Sequence, residues 1–173
     1  MTRFAVAEVV EEAVKSIRPL ADDKGLSLEI EIAPGLHSVS DRRRLLQCLL
    51  NLLSNAVKYS EKGSIQCCAY AQDEQLMLRV TDNGQRTTDN GIGIAGEDLL
   101  NLFDAFERLE SHLRVKAGGT GLGLYLTRKI AVELLNGRID VESEKGQGSV
   151  FTLVVPKDII VINGGSAPLV TAD

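Results

Sequence analysis

The sequence predicts an α+β fold, a two-layer sandwich whose mixed sheet of about five strands is covered on one face by about three helices. Three observations lead to this prediction. Apolar residues recur at helical spacing in some segments, alternate with period two in shorter ones, and are separated by clusters of Gly, Pro, Asn and Asp. A chain of 173 residues supports one domain with a sizeable core, which we place at residues 1–157, followed by a tail at 158–173.

Each element follows from its spacing and from the residues at its ends. Gly25 stops the first helix, and Asp41 suits the N-cap of the second helix, which is rich in leucine. A polar tip at 72–74 joins the first hairpin, and Asn136-Gly137 suits a left-handed cap after the last helix. The predicted order is helix 4–22, strand 26–32, short edge strand 37–40, helix 41–58, hairpin strands 64–71 and 75–81, loop 82–94, short helix 97–104, helix 120–135, and hairpin strands 138–143 and 149–155.

Composition excludes several classes of function. The net charge of −5 argues against nonspecific nucleic-acid binding, since proteins that bind the phosphate backbone usually carry a basic face. The longest apolar runs, 150–155 and 159–162, are too short to cross a bilayer, and no secretion signal is recognisable. Cys48, Cys67 and Cys68 are odd in number and lack metal-ligand spacing. We therefore expect reduced thiols in a cytoplasmic protein that makes no membrane contact through this chain.

A polar stripe runs along the leucine-rich helix. Its members are spaced i, i+4, i+7 and i+8, so they share one helix face: Asn51, Asn55, Lys58 and Tyr59. A stripe of this kind is commonly just the solvent-facing side of a helix. The residue types favour a second interpretation, because two carboxamide oxygens suit a hard cation, a lysine suits a phosphate, and an aromatic ring suits a base.

Two glycine-rich segments complete the pattern. In Asp89-Asn-Gly91-Ile-Gly93 the alternate glycines allow positive φ and close approach of a ligand, although the segment also reads as a plain turn. A carboxylate at residue 89 can accept a hydrogen bond from an exocyclic amine such as that of adenine. Residues 119–123, Gly-Thr-Gly-Leu-Gly, open a helix with bare backbone amides to which an anion can dock, or alternatively allow close helix packing.

Together these segments resemble a known family, the ATP-binding catalytic domain of sensor histidine kinases. The resemblance covers residues 4–157 and extends to the wider superfamily of gyrase, heat-shock chaperones and mismatch-repair proteins. Residues 51–59 match the N box, 89–93 the first glycine box, 103–106 the F box, and 119–124 the second glycine box. Four boxes in the family's order make the resemblance specific.

The resemblance implies ATP and Mg²⁺ as ligands and assigns a role to each matching residue. Asn55 would ligate Mg²⁺ with Asn51 nearby, Lys58 would contact a phosphate, and Tyr59 would lie against the adenine. Asp89 would bind the adenine amine. Residues 104–118 would form a mobile lid. Gly91 and Gly93 would shape the adenine pocket and Ile94 would line it, while Arg108, Arg114 and Lys116 are candidates to neutralise the terminal phosphate. Gly119, Gly121, Leu122 and Gly123 would offer backbone amides to the phosphates, and the expected nucleotide-binding set also includes Thr120 and, from the F box, Phe106.

The sequence departs from the family pattern at the first glycine box. Thr-Asp-Asn-Gly occurs twice, at 81–84 and 88–91, so seven residues are inserted beside the expected site. Asp82 directly follows the predicted strand, where the family places its adenine-binding Asp, but only Asp89 has the full glycine spacing. The glycine spacing favours Asp89, and Asp82 is the alternative.

The expected reaction is transfer of the ATP γ-phosphoryl group rather than hydrolysis. Hydrolytic members of the superfamily carry a Glu one turn before the metal-binding Asn, whereas this chain has Asn51, a poor general base. Neither His37 nor His112 follows the acceptor pattern, so the acceptor would be a histidine on a separate dimerising helical hairpin, and this chain an excised catalytic domain. A response regulator would act downstream. The alternatives are an anti-sigma-type protein serine kinase and a degenerate nucleotide-binding module without transfer activity.

Overall fold

The computed structural model describes residues 1–82, 122–144 and 148–158, and it confirms the predicted α+β sandwich. A sheet forms one layer and helices form the other. In chain order the elements are β1 (Thr2–Ala5), α1 (Val6–Asp23), β2 (Ser27–Ile32), β3 (His37–Ser40), α2 (Arg42–Tyr59), β4 (Ser64–Gln72), β5 (Gln75–Asp82), α3 (Leu122–Lys129), a π-helical turn (Ile130–Leu134), β6 (Arg138–Glu144) and β7 (Gly148–Pro156).

The main sheet has five strands in the order β2-β4-β5-β7-β6 and is mixed, as predicted. β2 runs parallel to β4, because α2 crosses over between them, and the other neighbouring pairs are antiparallel. The predicted hairpin between β4 and β5 is confirmed, and Asp73 and Glu74 at its tip both have positive φ, which suits a tight hairpin turn.

One face of the sheet packs against the helices. Alternate residues of β4 and β5 are buried on this face, and they join the apolar sides of α1 and α2 in one core cluster. The strand positions between them are partly exposed, as the period-two pattern predicts. The buried rows are Ile65, Cys67 and Ala69 in β4 and Leu76, Leu78 and Val80 in β5.

The predicted start of the first helix at residue 4 is wrong. Residues Thr2–Ala5 form β1, which pairs antiparallel with β3 in a separate two-stranded sheet. The helix begins at Val6, whose backbone N–H donates to the carbonyl of Leu36 at 3.0 Å. Phe4 is buried in the core from its position in this strand.

The second helix begins and ends close to the predicted residues. Asp41 is its N-cap, with a side-chain carboxylate that accepts from the backbone N–H of Arg44 at 3.1 Å. The helix ends at Tyr59, because Ser60 is extended. Its leucines at 45, 49, 52 and 53 are fully buried, which leaves the polar stripe on another side.

The last described helix differs from a regular α-helix. α3 continues from Lys129 directly into the π-helical turn Ile130–Leu134, in which the wider winding adds a residue to the turn. Asn136 has φ 52°, so the predicted left-handed cap is confirmed. Gly137 is required there, since a Cβ at this position would lie 2.2 Å from the carbonyl oxygen of Val154.

The three cysteines are free, as expected. Cys67 is buried on the helix-covered face of the sheet and Cys68 points to the other face. Within the described residues, no helix combines the length and the apolar character needed to span a membrane. Of the expected C-terminal tail, Asp158 forms an isolated bridge with Val39, and residues 159–173 lie outside the described part.

Candidate functional site

The predicted polar stripe lies on the second half of α2. Asn51, Asn55 and Tyr59 are partly buried and Lys58 is exposed. The leucines on the other side of this helix are packed in the core, so the stripe is held by a rigid element rather than by a loop. A rigid support of this kind suits a site that must present several side chains at fixed spacing.

Asn51 joins α2 to the start of α3. Its amide nitrogen donates to the carbonyl oxygen of Gly123 at 2.5 Å and to the hydroxyl oxygen of Thr127. The Thr127 hydroxyl in turn donates to the same carbonyl at 2.8 Å. We call these three residues, Asn51, Gly123 and Thr127, the α2–α3 clasp. The clasp connects the helix that carries the N box to the helix that begins in the second glycine box.

Gly123 has a structural reason to be glycine. A Cβ on Gly123 would lie 2.7 Å from the carboxamide oxygen of Asn51 and 3.2 Å from its nitrogen. Such a contact would force the Asn51 side chain to shift. This contact supports the close-packing interpretation of this glycine, and its expected amide contact with a phosphate remains a prediction.

Thr127 is a residue that the sequence reasoning missed. It is 2% exposed, and its backbone carbonyl accepts a hydrogen bond from the Cys48 thiol at 3.8 Å. Its position four residues after Gly123 was the available signal, because residues at i and i+4 share a helix face. Burial raises the pKa of the Cys48 thiol to about 12, so this sulfur is a neutral packing group and not a nucleophile.

Asp82 is the last residue of β5 and is 3% exposed. It continues the row of Leu78 and Val80 and therefore faces the helical layer. Its neighbours in register are Ile65 of β4 and Ser149 of β7, so it sits in the middle of the sheet. A buried carboxylate is unfavourable unless it is hydrogen-bonded, and such groups are common at binding sites.

The topology places Asp82 near the polar stripe. Only residues 60–63 separate Tyr59 from the first residue of β4, and Ile65 in β4 pairs with Asp82. The C-terminal end of α2 and the end of β5 therefore lie at the same end of the sheet. The fold thus brings together two parts of the predicted site that are more than twenty residues apart in sequence.

The other predicted site residues fall in segments that the structure does not describe. Leu122 is described only as the first residue of α3. The residues outside the described ranges are Asp89, Gly91, Gly93, Ile94, Phe106, Arg108, Arg114, Lys116, Gly119, Thr120 and Gly121, together with the expected lid at 104–118.

Comparison with known proteins gives a consistent result. Residues 40–159 match the family model described as histidine kinase-, DNA gyrase B-, and HSP90-like ATPase. The circadian input-output histidine kinase CikA of Synechococcus elongatus is 40% identical over 123 residues, which are 70% of this chain and 15% of CikA. The sensor histidine kinase RcsC of Escherichia coli is 34% identical over 155 residues, which are 88% of this chain and 16% of RcsC.

Solved structures share the fold. Full-length ShkA in complex with AMPPNP aligns with a TM-score of 0.76 and 27% identity, over 90% of this chain and 30% of ShkA. The nucleotide-free catalytic domain of the histidine kinase ThkA aligns with a TM-score of 0.76 and 26% identity, over 91% of this chain and 95% of that domain. The described fold is therefore that of a histidine kinase catalytic domain.

Proposed function

The chain belongs to the histidine kinase-, DNA gyrase B- and HSP90-like ATPase family, and we propose that it binds Mg²⁺–ATP and supplies the γ-phosphoryl group to a histidine on a separate dimerising helical hairpin. The observation that carries this proposal is the polar stripe of α2, which lies on a rigid helix at the same end of the sheet as the buried Asp82. We place the acceptor outside this chain because neither His37, which is exposed on β3, nor His112, which lies outside the described residues, follows the acceptor pattern.

Asn55 is the residue that would hold the metal. Its partly buried carboxamide lies one turn after the α2–α3 clasp, and a carboxamide oxygen is a suitable ligand for a hard cation. Among the described residues there is no cluster of His, Cys, Asp or Glu that could hold a metal by itself. Mg²⁺ at nucleotides usually has few protein ligands and takes the others from phosphates and water, so this donor set fits.

Lys58 and Tyr59 would contact the nucleotide from the last turn of α2. Lys58 is exposed, so its ammonium group is free to reach a phosphate, and the partly buried ring of Tyr59 offers a face to the adenine. For the adenine amine, the burial of Asp82 on the helix-facing side of β5 favours Asp82 over Asp89. The glycine spacing around residue 89 still supports the alternative.

The hydrogen bonding and the chemistry of the Asn51 side chain favour phosphoryl transfer over ATP hydrolysis. Its amide nitrogen is engaged in the clasp, and a carboxamide has no basic group to activate water. The role we propose for Asn51 is therefore to hold the start of α3 against α2. The phosphorylated histidine would pass its phosphoryl group to a response regulator, and the reduced thiols and the need for ATP are consistent with a cytoplasmic location.

Asn55→Ala tests the metal assignment. Calorimetry with AMPPNP at millimolar Mg²⁺ should show binding to the wild type and at least tenfold weaker binding to the variant, because a hydrogen-bonded or ligating polar group contributes roughly 1.5 kcal/mol or more. Gln47→Ala is a matched control, since Gln47 is exposed on the same helix and its side chain bonds to that of Arg44. Equal affinity of Asn55→Ala and the wild type, at unchanged melting temperature, would contradict the assignment.

Phosphoryl transfer needs a separate assay. The chain should phosphorylate the isolated histidine hairpin of its parent protein, or of a close relative, in the presence of labelled ATP. Binding of AMPPNP without transfer to any matched hairpin would favour the nucleotide-binding module, and transfer to a serine of a partner protein would favour the serine kinase.

A further inference from the structure

Lys24 makes an unusual set of contacts with the end of α2. Its ammonium group donates to the backbone carbonyl of Val57 at 2.8 Å, of Lys58 at 3.0 Å and of Ser60 at 3.2 Å. These carbonyls are 33 to 36 residues away in sequence. One side chain from the end of α1 therefore closes the end of another helix.

The backbone that carries Lys24 is itself well fixed. Lys24 is the C-cap of α1, and its N–H donates to the carbonyl of Ala21 at 3.1 Å. Gly25 follows with φ +69°, and its N–H donates to Asp22 at 2.9 Å, which completes a left-handed helix end. The lysine thus extends from a defined point on α1 and not from a loose loop.

The end of α2 needs such a partner. The last carbonyls of an α-helix have no intrahelical donors, and the helix dipole makes this end negative. Ser60 is extended and does not provide a left-handed cap of the kind that ends α1. An ammonium group supplies both the missing donors and the opposite charge.

We propose that Lys24 is a positioning residue for nucleotide binding. The carbonyls it holds belong to the turn that carries Lys58 and Tyr59, the side chains expected at a phosphate and at the adenine. By fixing this turn, Lys24 sets the direction in which these two side chains leave the helix. This inference rests on the proposed function, because it assumes that both side chains contact the nucleotide.

The first experiment compares Lys24→Met with wild type in AMPPNP binding well below either melting temperature. Methionine keeps most of the stem but removes the charge and all donors. We expect binding to weaken about three- to tenfold, the range that corresponds to loss of one or two modest hydrogen bonds. Lys24→Arg, which keeps a charged donor, should restore most of the affinity. Lys15→Met, on the exposed side of α1, is the matched control and should bind as the wild type does.

A double-mutant cycle separates positioning from stability. If Lys24 acts through Lys58, then Lys58→Met should weaken binding less in the Lys24→Met background than in the wild-type background. Additive effects, or unchanged affinity of Lys24→Met, would overturn the inference even if its melting temperature falls. If Lys24→Met fails to fold, the same double-mutant cycle is measured with Lys24→Gln. Absence of AMPPNP binding to the wild type would instead refute the proposed function.

Discussion

Substitution of Gly123 by alanine tests the α2–α3 clasp, because the clasp determines whether the substitution lowers or raises the stability of the protein. In an ordinary helix position, glycine to alanine stabilises by roughly 1 kcal/mol, because alanine loses less backbone entropy. Here the new Cβ would lie 2.7 Å from the Asn51 carboxamide oxygen, so the amide must move. We expect this movement to break its two hydrogen bonds, to the Gly123 carbonyl and to the Thr127 hydroxyl.

The two hydrogen bonds contribute about 1 kcal/mol each, so their loss outweighs the gain in helix propensity by about 1 kcal/mol. We therefore expect Gly123→Ala to lower the melting temperature by about 2–4 °C, as measured by circular dichroism or calorimetry. In an Asn51→Ala background there is no amide to displace, so the same substitution should raise the melting temperature.

The sign reversal corresponds to a coupling free energy of about 2 kcal/mol, which is well above the error of such a cycle. Thr127→Val removes one partner of the clasp and should destabilise the protein to a similar extent as Asn51→Ala. A Gly123→Ala variant that is more stable than the wild type would refute the clasp. So would an equal effect of this substitution in both backgrounds.

Three further predictions concern the candidate site and its supporting layer. Asp82→Asn should weaken AMPPNP binding about ten- to a hundredfold in calorimetry, since a hydrogen bond to a charged acceptor contributes about 1.5–3 kcal/mol, whereas Asp89→Asn should have little effect. The reverse ranking of the two variants would assign the binding of the adenine amine to Asp89. Asp41→Ala should lower the melting temperature by about 2–4 °C through loss of the N-cap hydrogen bond, and Asp41→Ser should show only a small part of this decrease. An unchanged melting temperature of the alanine variant would contradict a stabilising role of the N-cap. Burial raises the pKa of Cys48 and of Cys67 from 9.0 to about 12, so both thiols stay neutral in the folded protein at pH values where they ionise in the unfolded chain. The free energy of unfolding should therefore be unaffected by these thiols below pH 9 and should fall as the pH rises from 9 towards 12, by at most about 1.4 kcal/mol per pH unit for each thiol. Thiolate absorbance that develops near pH 9 in the native protein would contradict this prediction.

The sequence alone was sufficient for the elements whose signals are local. Apolar spacing predicted α2 and the strands of both hairpins, Asp41 predicted the helix start, and Asn136 predicted the left-handed cap. These signals are reliable because helices and strands bury one face with a fixed period, and because caps are bonds between residues only a few positions apart. The family boxes predicted the kind of domain for the same reason, since each box is a short contiguous segment.

The sequence could not decide which distant residues meet. It predicted a helix at residue 4 because the apolar spacing continues there, but pairing with β3 more than thirty residues later makes this segment a strand. Its glycine spacing favoured Asp89 over Asp82 as the adenine-binding residue, and only the fold shows that Asp82 is buried beside the helical layer. A one-dimensional pattern identifies the face of an element and not its partner, because the partner depends on how the whole chain closes.

The same reason applies to the residues that support the site. Asn51 was predicted as part of a stripe, yet its amide bonds to Gly123 and Thr127 more than seventy residues away. Lys24 had no local signal at all, since an exposed lysine after a helix is common, and its three acceptors lie on another helix end. The sequence thus determined most of the elements, the family and the side chains available for nucleotide binding. The tertiary structure decided which of these side chains meet, because hydrogen bonds form only between groups that packing brings within about 3 Å of each other.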